Sequence, residues 1–265
     1  RRDPQDPDTV EGDASPMRPR TFFEAFAVLA RAAGSWAAVP PLECPDLGPL
    51  KFWPDMPWHQ RADELEVDEI RTAMANADVD RALCICTALE EFPEVHALAM
   101  RYDNFWASAG VHPDSEGVRE PTLADLVALA EQPRVVAIGE TGLDYYRLAG
   151  RSVQDMAWQR ERFRVHIRAA NATGLPLVVH TRSASQDTLA ILREEGAAAA
   201  GGVFHCFTET MDVARAALDL GFFISFSGIL TFRNATELQD VARFVPLERC
   251  LIETDSPYLA PVPHR

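Results

Sequence analysis

Positive charge is what this sequence has least of. Lysine and arginine together number 25 against 40 aspartates and glutamates, the formal net charge is −15, and Lys51 is the only lysine in 265 residues. A broad basic footprint for duplex DNA is thereby excluded, because so acidic a chain repels a polyanion at long range. Any phosphate recognition has to be local, and bound divalent ions are one source of it. Long apolar runs are absent too. None approaches the roughly 18 residues of a membrane span, and the segment from Arg1 to Asp13 is charged, without an apolar signal core. The expectation is a soluble, cytoplasmic protein that meets no membrane. The five cysteines form no Cys-x-x-Cys pair. Cys84 and Cys86 alternate along a strand-like run and share a face, which reads as buried thiols in a reducing compartment.

What is present points to one large domain and an appendage. With 47% hydrophobic residues the chain can bury a real core without disulfides, and α/β barrels routinely run to about 250 residues as one unit. Ten of the 19 prolines fall within the first 57 residues, where only Thr21 to Ala33 has helical spacing. From about Val67 the texture changes to helical patterns alternating with short apolar runs, the signature of repeated βα units. The runs are Arg81 to Cys86, Phe105 to Val111, Val135 to Gly139, Leu175 to His180, Gly202 to His205, Phe222 to Phe226 and Cys250 to Glu253. Segments such as Leu123 to Glu131, Asp155 to Ala172, Asp187 to Glu195 and Met211 to Leu220 suit the crossovers.

The fold expected is a TIM-type (β/α) barrel that is incomplete. It wants eight strands and seven are found. The first should precede a helix near Asp68 to Asn76, where only Leu50 to Trp53 offers a poor candidate. The chain ends about a dozen residues after its last strand, so the covering helix is missing as well. We expect residues 1–60 to be a Pro-rich extension foreign to the ancestral enzyme, with the true first strand in another reading frame or lost, and residues 61–265 to be the barrel.

Metal-capable residues recur where the runs end: His112, Glu140, His180, His205 and Asp255. In a TIM barrel every such end converges on one face, where active sites are built. Three imidazoles and two carboxylates are the ligand types of a hydrolytic metal site. Arg182, two residues past His180, can present a guanidinium to a phosphate from the same loop. His59, His96 and His166 read as incidental or structural, and the acidic stretch Asp63 to Glu69 suits a helix N-terminus.

The motifs Gly110-Val111-His112-Pro113, Gly139-Glu140-Thr141-Gly142-Leu143-Asp144-Tyr145-Tyr146, Val179-His180-Thr181-Arg182, Phe204-His205-Cys206-Phe207 and Ile252-Glu253-Thr254-Asp255-Ser256-Pro257-Tyr258-Leu259 resemble, in order and spacing, those of TatD-type deoxyribonucleases. The resemblance implies a hydrolase that cleaves the phosphodiester bonds of DNA, at ends or in single strands, with two divalent ions (Mg, Mn or Zn). By analogy Glu140 bridges the ions, His180 and His205 hold one, and Asp255 binds the other and accepts a proton from the attacking water. His112 sits beside the scissile phosphate. The family's Asp/Asn-x-His-x-His motif has no counterpart, so the ion beside Asp255 is expected to bind weakly. Two other readings fit the same residues: a metal-dependent hydrolase of another ester or an amide, and a non-catalytic truncated remnant with unpaired sheet edges.

Overall fold

The computed structural model describes residues 67–68, 71–72, 74–75, 79, 81–146, 148–253 and 261–262. The sequence candidates at Thr21 to Ala33, Leu50 to Trp53, His59 and Asp255 lie outside these residues. Helical residues at 67–68, 71–72 and 74–75 fall where the crossover helix near Asp68 to Asn76 was expected. No helix among the described residues is long and apolar enough to cross a membrane.

Seven strands follow: β1 (Ala82–Cys84), β2 (Phe105–Ala109), β3 (Val135–Asp144), β4 (Leu177–Arg182), β5 (Gly202–Phe204), β6 (Phe223–Phe226) and β7 (Cys250–Ile252). Six helices join them: α1 (Phe92–Arg101), α2 (Leu123–Ala130), α3 (Ala157–Thr173), α4 (Ser185–Glu194), α5 (Met211–Asp219) and α6 (Thr236–Phe244). Strand order in the sheet is the order of the sequence, and every pairing is parallel. The result is an α/β sheet of TIM type, curled but incomplete among the described residues, with β1 and β7 at its edges.

Alternation along each strand decides which layer a residue joins. In β4 and β5, Leu177, Val179 and Phe204 face the helices and pack with Leu126, Phe163 and Ile167, whereas Val178 and Val203 turn inward to meet Val136, Ala137 and Leu251. Both faces of the sheet are therefore apolar, as expected of parallel strands covered by crossovers. Phe163 and Ile167 on α3 are wholly buried, each worth about 1.5–3 kcal/mol of transfer free energy. Helix α2 starts where it does because the Thr122 side chain accepts the Asp125 N–H while the Asp125 carboxylate accepts the Thr122 N–H, satisfying two donors of the first turn. Gly174, at φ +71°, ends α3 in the left-handed conformation that favours glycine.

Two close approaches set the sheet's shape around its C-terminal edge. A side chain at Gly110 would run into the backbone of Gly139, and one at Gly142 would run into the carbonyl of His180. Gly142 also has φ +133°, which a side chain opposes in any case. Glycine at these points lets β2, β3 and β4 draw together just where the metal-capable residues emerge.

Candidate metal centre

Consecutive strands deliver the cluster. Glu140 lies on β3, His180 on β4 beside Gly142, and His205 one residue past β5. His112 follows β2 by three residues, its amide bonded to the Thr87 carbonyl, and the Glu140 amide is bonded to that of Cys86. All three imidazoles face one oxygen of Glu140. His205 Nε2 is 2.7 Å from Oε1, His180 Nδ1 3.2 Å and His112 Nε2 3.3 Å. Glu140 itself is largely buried, its side chain 12% exposed.

Each of two imidazoles has a second carboxylate at its other nitrogen. His180 Nε2 is 3.1 Å from Asp144 Oδ2, and His205 Nδ1 is 3.4 Å from Glu253 Oε1. These carboxylates are themselves fixed. Asp144 Oδ1 accepts the Tyr146 amide, while Glu253 accepts the Cys206 amide at Oε1 and the Ser225 hydroxyl at Oε2. Cys206 has φ +43°, a sharp turn directly after His205 that aims its N–H at Glu253. His112 differs from the other two. Its Nδ1 accepts the Asp114 amide at 3.0 Å, so the neutral ring carries its hydrogen on Nε2.

The electrostatics follow from this packing. Burial pushes the Glu140 carboxyl up, but the His205 charge and hydrogen bonds from His112, His180 and His205 outweigh it and hold the group well below the usual carboxylate range. Burial pulls His205 down, and the Glu140 and Glu253 carboxylates reverse that and raise it well above its ordinary value. His180 is raised against burial by Asp144 and then Glu140. Asp144 is lowered against burial by His180 and the Tyr146 amide.

His112, Glu140 and His180 each offer a ligand atom, all within 4.8 Å of one another, and His205 adds a nitrogen against the same carboxylate oxygen. Imidazole and carboxylate converging in a largely buried space are the donor set of a borderline divalent ion, so these residues fit a metal. Arg182 is exposed, with its guanidinium 3.8 Å above the ring of Tyr146, which is 61% exposed. Asp255 lies outside the described residues. His96 and His166 stand away from the cluster, the first bonded to the Pro133 carbonyl and the second wholly buried on α3.

Reading the sequence did not single out Asp144 or Glu253. A signal existed for each: Asp144 is four residues past Glu140 on the same strand, and Glu253 leaves β7 where the other candidates leave theirs. Neither spacing says which histidine the carboxylate meets, and the pairing itself is visible only in the fold.

Comparison with known proteins gives a consistent result. Residues 55–265 match the family described as TatD related DNase. A metal-dependent hydrolase of Escherichia coli K12, YcfH, is 50% identical over 201 residues, covering 76% of this chain and 74% of the relative. A protein of Citrobacter koseri named 3′-5′ ssDNA/RNA exonuclease TatD is 38% identical over 196 residues, covering 73% of this chain and 74% of that one. Among solved structures, YJJV, a TatD homologue from Escherichia coli K12, superposes with a TM-score of 0.65 at 29% identity, over 74% of this chain and 76% of its own.

Proposed function

The chain belongs to the TatD related DNase family and is a metal-dependent hydrolase, and on that footing we propose that it hydrolyses phosphodiester bonds in DNA ends or single strands. The observation that carries the reading is the difference in proton placement among the three imidazoles. With an ion present, His180 would keep its Nε2 hydrogen on Asp144 and His205 its Nδ1 hydrogen on Glu253. The nitrogens that otherwise hydrogen-bond Glu140, His180 Nδ1 and His205 Nε2, would give up their protons and turn lone pairs to the metal. Such carboxylate-backed imidazoles are the usual metal ligands. His112, whose Nδ1 already accepts the Asp114 amide, presents an N–H instead and suits a phosphate oxygen.

Glu140, His180 and His205 would hold one divalent ion, and Glu140 with Asp255 would hold a second, more weakly for want of a His-x-His pair. Bound divalent ions polarise the phosphoryl oxygens and lower the pKa of bound water. The protein's own groups do the rest. Asp255 accepts the proton of the attacking water, His112 donates to a non-bridging oxygen of the phosphate, and Arg182 pairs with a neighbouring phosphate from beside the exposed Tyr146 ring. With a net charge of −15, attraction for the substrate comes from these local groups rather than from the surface at large. The hydrolase unit is placed at residues 61–265 and residues 1–60 outside it; their Pro-rich composition and a family match beginning only at residue 55 support a boundary near there.

The test is release of nucleotides from a 5′-labelled single-stranded oligonucleotide in the presence of manganese or magnesium. Activity is expected with either ion, lost with a chelator and lost in Glu140→Gln. Hydrolysis of simple esters without any release of nucleotides would overturn the substrate assignment.

A further inference from the structure

Helix α3 carries three buried polar side chains on one stripe, Gln159, Arg162 and His166, whose bonds to the site run to its backbone rather than to its imidazoles and carboxylates. Their spacing of three and four residues puts them on one face, and that face turns toward the ends of β2 and β3. Each spends its hydrogen bonds on the backbone of a site-bearing loop. His166 Nε2 accepts the Val111 amide at 3.0 Å, and its Nδ1 hydrogen goes to the Arg162 carbonyl at 2.8 Å. Arg162 Nη1 donates to the carbonyls of His112 and Ser115 at 2.7 and 2.8 Å, while Nε and Nη2 hold both oxygens of Glu120. Gln159 Oε1 accepts the Asp144 amide at 3.0 Å.

We propose that His166 and Arg162 are positioning residues for His112, locking the Gly110–Val111 and His112–Pro113 peptide units so that its imidazole stays aimed at the site. His112 sits on irregular chain past the end of β2, where no sheet partner fixes it beyond the Thr87 carbonyl. His166 fixes the Gly110–Val111 peptide through the Val111 amide and Arg162 fixes the His112–Pro113 peptide through the His112 carbonyl, while the peptide between them is held by the Thr87 carbonyl at the His112 amide. The same stripe reaches the end of β3 through Gln159, which fixes the amide of Asp144, the residue that backs His180. A buried arginine and a buried histidine are costly to place in a core. Glu120 compensates the Arg162 charge, and the other bonds of both side chains go to backbone, most of it in the chain that carries His112. The requirement is severe, because a displacement of about 1 Å at a reacting group costs on the order of a hundredfold in rate.

The proposal rests on the nuclease reading, and a double-mutant cycle tests it. His166→Met keeps the volume and removes the acceptor for the Val111 amide; His166→Gln restores an acceptor. Turnover of a single-stranded oligonucleotide with manganese is measured for each variant with His112 present and in His112→Ala, with melting temperature as the check on folding. The expected result is a loss of roughly tenfold to a hundredfold in kcat/KM for His166→Met, its recovery in His166→Gln, and no further loss when His112 is already alanine. Equal losses in both backgrounds, or none in either, would overturn the positioning role. If His166→Met does not fold, Arg162→Lys takes its place, since an ammonium cannot hold the two carbonyls and Glu120 together. If the wild-type protein releases no nucleotide at all, the nuclease reading fails, and nitrogen-15 spectra of the histidine rings decide the proposal without turnover. The His112 signal should then shift in His166→Met and return in His166→Gln while His96 stays put; an unmoved His112 signal would refute it.

Discussion

His166 offers the sharpest quantitative prediction because its environment leaves no place for a second proton. Both ring nitrogens are engaged, Nε2 as an acceptor from Val111 and Nδ1 as a donor to Arg162, so a proton on Nε2 would set two donors against each other. Burial holds its pKa down from 6.5 to about 4, with the Arg162 carbonyl and Glu120 opposing and the Arg162 charge assisting. The unfolded chain takes up a proton below about pH 6.5 and the folded protein only near 4, so between these values the unfolded state binds more protons. Stability from this group is therefore complete above pH 6.5 and is lost as the pH falls. Across pH 7 to pH 4.5 the loss works out at about 2.4 kcal/mol. His180 and His205, raised rather than lowered, contribute in the opposite sense, so the measurement has to be a difference. Urea unfolding of metal-free wild type and His166→Gln, followed by circular dichroism at several pH values, isolates the one histidine. The wild type should lose about 2.4 kcal/mol relative to the variant over this range. Curves that run parallel to within about 0.5 kcal/mol would refute the claim that His166 is held neutral by burial.

Asp144→Asn and Glu253→Gln should each weaken manganese binding by roughly 10–100-fold in calorimetric titration, since each carboxylate backs an imidazole proposed as a ligand, and the near-isosteric amides keep an oxygen for the backbone amides these groups accept. Gly142→Ala should destabilise by at least about 2 kcal/mol in denaturant unfolding, as its added carbon meets the His180 carbonyl and its φ is +133°; a neutral effect would mean the two strands separate easily. Burial pushes the Cys84 thiol up to about 11 and raises Cys86 and Cys250 as well, so at pH 8 these three should react with a disulfide reagent only as the protein unfolds. Deleting residues 1–54 should leave manganese affinity unchanged in the same titration, and a loss would place part of the hydrolase unit in that segment.

The strand positions were legible because parallel strands buried on both faces are continuous apolar runs, and Phe105, Val178 and Val203 announce them without help from their neighbours. Strand β3 was read too short, as Val135 to Gly139, whereas it continues to Asp144. Its second half, with Glu140, Thr141 and Asp144, is polar and looks like a loop until the neighbouring β4 supplies its pairing. The candidate ligands were legible for the same reason as the strands, since each stands where an apolar run stops. What the sequence hides is everything that depends on which way a ring turns. His112, His180 and His205 look alike in the chain, and only their contacts with Asp114, Asp144 and Glu253 tell the three rings apart. His166 was read as a structural helix residue and Arg162 was not singled out, because spacing along a helix does not show that a polar side chain points at the backbone of a neighbouring segment.

Among the described residues, every strand of the sheet pairs only with its neighbours in the sequence, which has a consequence for how the protein matures during synthesis. As a chain leaves the ribosome, each new strand finds its partner already in place, and no strand waits for a distant segment to close a gap. The metal-capable cluster obeys a different clock. Glu140 is in hand early, His180 and His205 follow, and Glu253, which takes the Cys206 amide and the Ser225 hydroxyl and backs His205, is among the last residues of the sheet to emerge. The nascent chain thus presents Glu140, His180 and His205 before the last of these imidazoles has its second carboxylate.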